Sequence, residues 1–189
     1  MRVMQWLALG MLVVSGCAVS GGGGATEQVV AAVGELGEDG EFVSERFGYA
    51  FRPPAEWEAI AGQVDGELSS LVFSSPEAQS VIQVNSGPPS DELAQAYAEN
   101  GDQALEDFAR ELAQDADSIA DPETQRTIEL ASGQTAVVMD VTAEGDRTGG
   151  RFLVAMGNDT VYLLTVLLGP DLPDFEQGAD EVVESFRIL

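Results

Sequence analysis

The spacing of hydrophobic residues changes three times along residues 41–189, and the resulting order of strand and helix patterns is compatible with few folds. Segments before Ser90 alternate apolar and polar side chains with the period of two that half-buried strands have. A helical period begins at Ser90, strand patterns return after Pro122, and helical spacing closes the chain. Separate blocks of strands and helices predict a single α+β domain.

The first block of strands is predicted at residues 47–51, 57–60, 68–74 and 81–84. Pro53 and Pro54 end the first strand, because proline has no amide hydrogen to donate to a sheet. Asp65 and Gly66 are turn residues. We therefore expect these strands to form a meander.

An amphipathic helix of about two dozen residues is predicted after Ser90, which is a favourable N-cap residue. Its apolar stripe has helical spacing and consists of Leu93, Tyr97, Ala104, Leu105, Phe108 and Leu112. Asn100 and Gly101 interrupt this pattern. They indicate either a break in the helix or a close approach to the sheet.

Four further strands are predicted at residues 126–130, 135–142, 150–156 and 161–168. The turns between them contain Gly133, residues 144–146 and residues 158–159. The last of these strands is apolar on both faces, so we expect it at the centre of the sheet. Apolar residues from Leu172 to Phe186 then repeat at helical spacing and predict a closing helix.

A secretory signal peptide is predicted over residues 1–16. It has a positive charge at Arg2 and an interrupted apolar run that is too short to span a bilayer. The run leads into the string Val14-Ser15-Gly16-Cys17, which resembles the lipobox of bacterial lipoproteins. The resemblance implies that Cys17 carries diacylglycerol and palmitate and becomes the new N-terminus after cleavage.

Cys17 is the single cysteine of the chain, so it has no partner for an internal disulfide. An unpaired thiol in an oxidising compartment is a liability, and acylation gives it a role. The alternative is an ordinary secreted protein with an incidental cysteine. We expect the lipid on Cys17 to hold the protein at a membrane of the cell envelope, on the extracytoplasmic side. Ala18, in place of aspartate, resembles the signal for transfer to the outer membrane in cells with two membranes.

Residues 17–40 are predicted to form a flexible tether before a domain at residues 41–189. Four successive glycines follow Ser20, and glycine-rich segments behave as random coil. Apolar residues from Val29 to Leu36 have helical spacing, but glycines interrupt it, so we expect mostly disorder. Such a coil holds the domain roughly 25–30 Å from the membrane.

The composition excludes most catalytic chemistry. The chain has no histidine and no lysine, and its single cysteine is the predicted lipid-attachment residue. Serine and cysteine nucleophiles need an imidazole or amine base, and zinc sites draw on thiolate or imidazole ligands. Two carboxylates alone suffice for glycoside hydrolysis, but this chain lacks the several aromatic platforms usual in such clefts. We therefore predict a protein that is not an enzyme, with no catalytic residue, no metal site and no cofactor.

The charge of the chain limits its partners. Acidic residues number 33 against 8 basic ones, which gives a net charge of −25. A nucleic-acid partner is excluded, because phosphate binding requires a basic surface. Anionic headgroups of the bilayer repel the acidic domain, so the lipid attached to Cys17 must hold it at the membrane. The acidity indicates either adaptation to high salt or a coding bias that replaces lysine with arginine over an ordinary acidic surface.

Two local clusters of charge are candidate ligand sites. Residues 115–121 begin like a calcium-binding loop, but Ile119 and Ala120 stand where an oxygen ligand and a glycine are needed. We predict a polar loop there instead. Arg147 and Arg151 form a local cluster of positive charge, open to an anion or to neighbouring carboxylates. Pairing with carboxylates of the protein is the favoured interpretation.

The string around Phe51, Pro54 and Trp57 resembles the F-x-x-P-x-x-W opening of PsbP-like domains and of related, LpqN-type bacterial lipoproteins. Ser185 and Phe186 resemble the Ser-Phe ending of that family's final helix. The resemblance implies a PsbP-like α/β/α sandwich over residues 41–189, in which an antiparallel sheet is covered by helices. Photosynthetic members are extrinsic subunits of the oxygen-evolving complex, and the resemblance implies no active-site residue here. Phe51 and Trp57 are expected in the core.

Two functions are compatible with these observations. We expect a non-enzymatic, membrane-anchored module that assembles or stabilises an envelope complex through a protein partner of unknown identity. The alternative is an extracytoplasmic binding protein for a small ligand or a divalent cation. A flat, exposed apolar patch favours the first function. A cleft with converging polar groups favours the second.

Overall fold

The structure, a computed structural model, describes residues 30–76, 80–114, 120–141, 149–169 and 175–189. These ranges contain two antiparallel sheets and three helices, besides a helical turn at residues 30–33. The predicted α+β class is therefore confirmed. The strands are β1 Glu35–Leu36, β2 Phe42–Ser44, β3 Tyr49–Phe51, β4 Glu58–Asp65, β5 Leu68–Ser74, β6 Val81–Gly87, β7 Ala120–Glu129, β8 Thr135–Val141, β9 Gly149–Gly157, β10 Thr160–Leu168 and β11 Arg187–Ile188. The helices are α1 Asp91–Asn100, α2 Asp102–Ala113 and α3 Phe175–Ser185.

The larger sheet has seven strands in the order β4-β5-β6-β10-β9-β8-β7. β10 lies at its centre, as its apolar pattern predicted, and pairs antiparallel with β6 and β9. Adjacent residues of β10 point into different cores: Tyr162 and Leu164 into one, Val161 and Leu163 into the other. A strand that is buried on both faces needs apolar residues at successive positions, which explains the unbroken run.

The two cores lie on opposite faces of this sheet. Against one face pack α3 and a four-stranded sheet of order β1-β2-β3-β11. Against the other face packs α2, through Leu105, Ala109 and Leu112, with Leu93 of α1. The prediction of a single sheet needs correction, because β3, expected as the first strand of the meander, pairs with β2 and β11 in a second sheet. The meander itself consists of β4, β5 and β6. Helices still cover both sides, as expected for an α/β/α sandwich.

The folded region extends into the predicted tether. Val33 is 1% exposed and belongs to the core between the two sheets. Its carbonyl oxygen accepts a hydrogen bond of 2.5 Å from Ser44 Oγ. At Gly34 the backbone lies so close to the Val43 carbonyl that a Cβ would overlap with it. The expected disorder up to residue 40 is therefore corrected over residues 30–40, because Val33 enters the core and Val30 packs against it.

The long predicted helix is two helices. Ser90 caps α1 as expected, and its Oγ accepts a hydrogen bond of 3.1 Å from the amide of Leu93. The helix stops at Gly101, which has φ 58° and ψ −132°, a conformation that side chains with a Cβ avoid. Of the two interpretations of Asn100-Gly101, the break is the one observed.

Several strand boundaries also differ from the prediction. β4 extends to Asp65, where we expected an end at residue 60, and β6 extends to Gly87, where we expected an end at residue 84. Residues 45–48 form a turn, so the strand expected from residue 47 begins only at Tyr49. β7 begins at Ala120 and therefore includes Pro122, where we expected the strands to resume only afterwards. The pairing of β7 with β8 is irregular between Asp121 and Arg126, which accommodates the proline.

Candidate functional site

The predicted lipid-attachment residue Cys17 and the lipobox residues Val14, Ser15 and Gly16 lie outside the described residues. The predicted turn at residues 144–146 and Arg147 also lie outside them, as do residues 115–119 of the polar loop. The lipid attachment therefore stays a prediction from the sequence.

The aromatic residues of the F-x-x-P-x-x-W segment are part of the core. Phe51 and Phe186 are fully buried, and Trp57 is 5% exposed. Tyr49 connects the two motif segments, because its ring lies 6.4 Å from that of Phe51 and 6.0 Å from that of Phe186. The expected core placement of Phe51 and Trp57 is confirmed.

The remaining motif residues fix the chain around this core. The amide of Arg52 donates a hydrogen bond of 2.9 Å to Ser185 Oγ, which itself donates to the Val182 carbonyl at 2.8 Å. Pro54 closes a turn in which its carbonyl accepts from the amide of Trp57 at 3.2 Å. The motif residues therefore make structural contacts, and none of their hydroxyl or aromatic groups lies in an open site.

A cleft of about 920 Å³ lies at one end of the sandwich. It is bordered by the turn before β3, the β4–β5 turn and the β9–β10 turn. Its described lining is Glu45, Arg46, Phe47, Gly48, Gly66, Glu67, Pro88, Asn158, Asp159, Thr160, Tyr162 and Leu189. This is the cavity with mixed apolar and polar walls that the ligand-binding alternative requires.

The side chain of Tyr162 lines this cleft, and its hydroxyl is hydrogen-bonded to the backbone of the protein. It lies 3.0 Å from the Phe47 carbonyl and 3.2 Å from the Gly48 carbonyl, to which it donates. Burial raises the pKa of Tyr162 above its ordinary value. The phenol is therefore protonated at neutral pH and cannot act as a general base there.

Arg46 is the cationic residue among the described lining residues, and it too is held by the protein. Its Nη2 donates a hydrogen bond of 3.1 Å to the Gly66 carbonyl, and its guanidinium lies 5.0 Å from the centre of the Phe47 ring. Glu45, Glu67 and Asp159 surround it with negative charge. An anionic ligand would meet more repulsion than attraction in this cleft.

The described ranges contain no group of three or more acidic or cysteine side chains placed to hold a metal ion. Asp121, the last residue of the predicted polar loop, accepts a hydrogen bond of 2.9 Å from the amide of Glu123. Its carboxylate thereby forms a local turn of the kind that aspartate favours.

Arg151 pairs with carboxylates of the protein, as the favoured interpretation predicted. Its Nε lies 2.8 Å from Asp180 Oδ1 of α3, and its Nη1 lies 3.4 Å from Asp140 Oδ1 of β8. Arg126 of β7 shares the Asp140 carboxylate at 3.0 Å. This network joins β7, β8 and β9 to α3, and the positive charge of Arg151 is paired within the protein.

Another ion pair, between Glu41 and Arg187, was not predicted from the sequence. The Arg187 guanidinium donates through two nitrogens to the two oxygens of Glu41, with one distance of 2.8 Å. This hydrogen bonding to Glu41 raises the pKa of Arg187 above its ordinary value. The residues are 146 positions apart, which no local pattern can connect.

The fold has a known counterpart among solved structures, although no protein-family model and no curated protein matches the sequence. The chain is similar to the solution structure of cyanobacterial PsbP (CyanoP) from Synechocystis sp. PCC 6803. The alignment covers 84% of this chain and 99% of that chain, with 18% identity and a TM-score of 0.51. The chain has a PsbP-like fold.

The PsbP-like fold confirms the architecture that the motif residues implied. A crystal structure from Bacteroides thetaiotaomicron VPI-5482 also aligns, over 82% of this chain and 49% of that chain, with 10% identity. Its TM-score of 0.39 is too low to support an argument. Within the described part of the chain, no helix has the length and apolar composition needed to cross a membrane.

Proposed function

We propose that this chain is an envelope lipoprotein, anchored by lipid on Cys17, whose PsbP-like domain is a non-enzymatic protein-interaction or assembly module. The observation that carries the proposal is the string Val14-Ser15-Gly16-Cys17 after a short apolar run and before a glycine-rich segment. A single cysteine at this position has no competing structural use in the chain.

The polar groups of the domain support an interaction role over a catalytic one. Tyr162, Arg46 and Arg151 each bond to other groups of the protein. Side chains held in this way stabilise the domain, whereas a nucleophile with its base would face an open cleft. What the domain offers to a partner is its acidic surface and its shape.

Membrane fractionation of Cys17→Ser tests the anchor. We expect wild-type chain in the membrane pellet and Cys17→Ser in the soluble fraction or as an unprocessed precursor. The matched control is Ser15→Ala, which changes a neighbouring lipobox residue and keeps the thiol. Recovery of Cys17→Ser in the pellet at the wild-type level, resistant to carbonate washing, would contradict lipid anchoring.

Affinity purification from detergent-solubilised membranes tests the interaction role. We expect a protein partner in stoichiometric amount with tagged wild-type chain, after cross-linking in the intact cell. The absence of any stoichiometric partner would count against an assembly module.

One observation favours the second candidate function, which is binding of a small ligand or divalent cation. The cleft beside Tyr162 has apolar walls from Phe47 and Pro88 and carboxylates at Glu45 and Glu67. Calorimetric titration with calcium and magnesium distinguishes the two functions. Saturable binding that Glu45→Gln/Glu67→Gln abolishes would favour the second candidate.

A further inference from the structure

The two edges of the seven-stranded sheet differ in how they are protected. β7 forms one edge, and its irregular stretch contains Pro122, which has no amide hydrogen. Helix α2 lies against it, where Thr127 Oγ1 donates a hydrogen bond of 3.0 Å to Glu106 Oε1. Proline, irregular pairing and a covering helix are the devices by which proteins block an edge strand.

β4 forms the other edge, and among the described residues only β5 pairs with it. A bulge at Ile60 interrupts its pairing with β5, but Ala61–Asp65 then follow in unbroken register from Ala61 opposite Val72 to Asp65 opposite Leu68. Ala61, Gln63 and Asp65 are exposed, and Ile60 at the bulge is 43% exposed. Five regular residues are the usual length of a strand, so this edge can accept another strand along its backbone.

The charged residues of β4 and of the positions that flank it in the chain are all acidic. The Arg46 guanidinium, hydrogen-bonded to the Gly66 carbonyl, lies beyond the end of β4. Glu58 and Asp65 stand at the two ends of β4, and Glu56 and Glu67 flank it in the chain. Residues 54–67 contain no basic residue. An incoming strand therefore meets an apolar centre at Ile60 and Ala61 between two acidic ends.

A second copy of this chain does not suit the edge. If β4 pairs antiparallel with another β4 along its full length, Glu58 of each copy faces Asp65 of the other. Like charges directly opposite each other destabilise a strand pair. The net charge of −25 on each copy adds repulsion at longer range.

We infer that the β4 edge is a docking site for an extended segment of a partner protein that carries lysine or arginine at both ends of an apolar stretch. The segment adds an eighth strand beside β4, and its basic side chains lie opposite Glu58 and Asp65. This inference rests on the proposed interaction role and names the surface that serves it.

A synthetic heptapeptide tests the edge directly. The probe is Lys-Val-Thr-Val-Thr-Val-Lys with blocked ends, and its control has glutamate in place of both lysines. Hydrogen–deuterium exchange of the full chain in detergent micelles, followed by mass spectrometry, reports which segments are protected. At ten times the half-saturating concentration we expect amides of residues 58–65 to exchange about tenfold more slowly with the lysine peptide, and unchanged with the glutamate peptide.

Charge-neutralised variants test the role of the carboxylates. Glu58→Gln/Asp65→Asn removes both charges and keeps a turn-forming residue at position 65, and we expect the half-saturating concentration to rise roughly threefold to tenfold. Glu123→Gln/Glu129→Gln removes two exposed charges from β7 as the matched control, and we expect no change. Unaltered exchange of β10 verifies that each variant is folded.

Three results would overturn the inference. These are no protection of residues 58–65, equal loss of binding in the β7 control, and protection of β4 that rises with the concentration of the chain alone. The last result would show self-pairing. If wild-type chain purifies with a stoichiometric partner but the peptide does not protect β4, the edge proposal fails and the interaction role stands.

Discussion

The amide of Arg52 donates a hydrogen bond to Ser185 Oγ across 133 positions of sequence. It connects the residue after β3 to the last residue of α3, and so fixes the end of the covering helix to the small sheet. The same serine bonds to the Val182 carbonyl inside the helix, which holds its hydroxyl in place. The two ends of the recognised motif therefore meet at one hydrogen bond.

Ser185→Ala tests this contact. Removing the acceptor leaves the Arg52 amide without its partner, and we expect the free energy of unfolding to fall by about 1 kcal/mol. Urea unfolding followed by circular dichroism measures this. Glu184→Ala, an exposed neighbour on the same helix, is the control and should change stability by less than about 0.5 kcal/mol. Equal effects of the two substitutions would show that the hydrogen bond contributes nothing specific.

We expect the stability of the protein to respond differently to loss of the hydroxyl at each of the two buried tyrosines, Tyr162 and Tyr49. Tyr162→Phe removes a hydrogen bond to the Phe47 carbonyl and should lower stability by about 1–2 kcal/mol. The buried Tyr49 hydroxyl makes no hydrogen bond of good geometry among the described residues, although the Ser44 and Ser69 hydroxyls lie near it, and burial raises its pKa. Tyr49→Phe should therefore leave stability unchanged or raise it by about 1 kcal/mol. Thermal unfolding of both variants checks this, and a larger loss for Tyr49→Phe would refute it.

The network around Arg151 should contribute more than an isolated surface ion pair. The Arg151 side chain is 12% exposed and lies between Asp140 and Asp180. Arg151→Met keeps the apolar stem and removes the charge, and we expect a loss of about 1–2 kcal/mol in urea unfolding. Arg110 pairs with Asp107 on the surface of α2, with its side chain 43% exposed. Arg110→Met should cost about 0–0.5 kcal/mol, and a cost equal to that of Arg151→Met would contradict the account.

Two glycines form another matched pair. A Cβ on Gly150 of β9 would overlap with the Val166 carbonyl of β10, so Gly150→Ala must displace the central strand. We expect a loss of about 3 kcal/mol or more. Gly178 of α3 has open space at its Cβ position, and Gly178→Ala should raise stability by about 0.5–1 kcal/mol. Melting temperatures that move in the same direction for both would refute this reading of the β9–β10 contact.

Strong local patterns of the sequence predicted the main elements. The unbroken apolar run of residues 161–168 predicted the central strand because a strand covered on both faces has no polar side. Ser90 predicted the start of α1 because its hydroxyl caps the helix. Both signals arise from the chemistry of neighbouring residues.

The second sheet was not predicted, because β1, β2 and β11 are too short to display a period and the alternation that predicted β3 does not tell which sheet it joins. β1 and β11 have two residues each, and β2 and β3 have three. They are held by distant contacts, such as Glu41 with Arg187 and Arg52 with Ser185. The β4 edge was equally hidden, because strand order in a sheet depends on tertiary pairing.

The central claim is that the one thiol of the chain is used for membrane anchoring. Intact-mass spectrometry of the chain purified from membranes tests it most directly. The account predicts a chain that begins at Cys17 and carries the mass of diacylglycerol and a further acyl group, lost in Cys17→Ser. A chain of unmodified mass would contradict this prediction. So would a chain with another N-terminus, whether it keeps Cys17 as a free thiol or lacks Cys17.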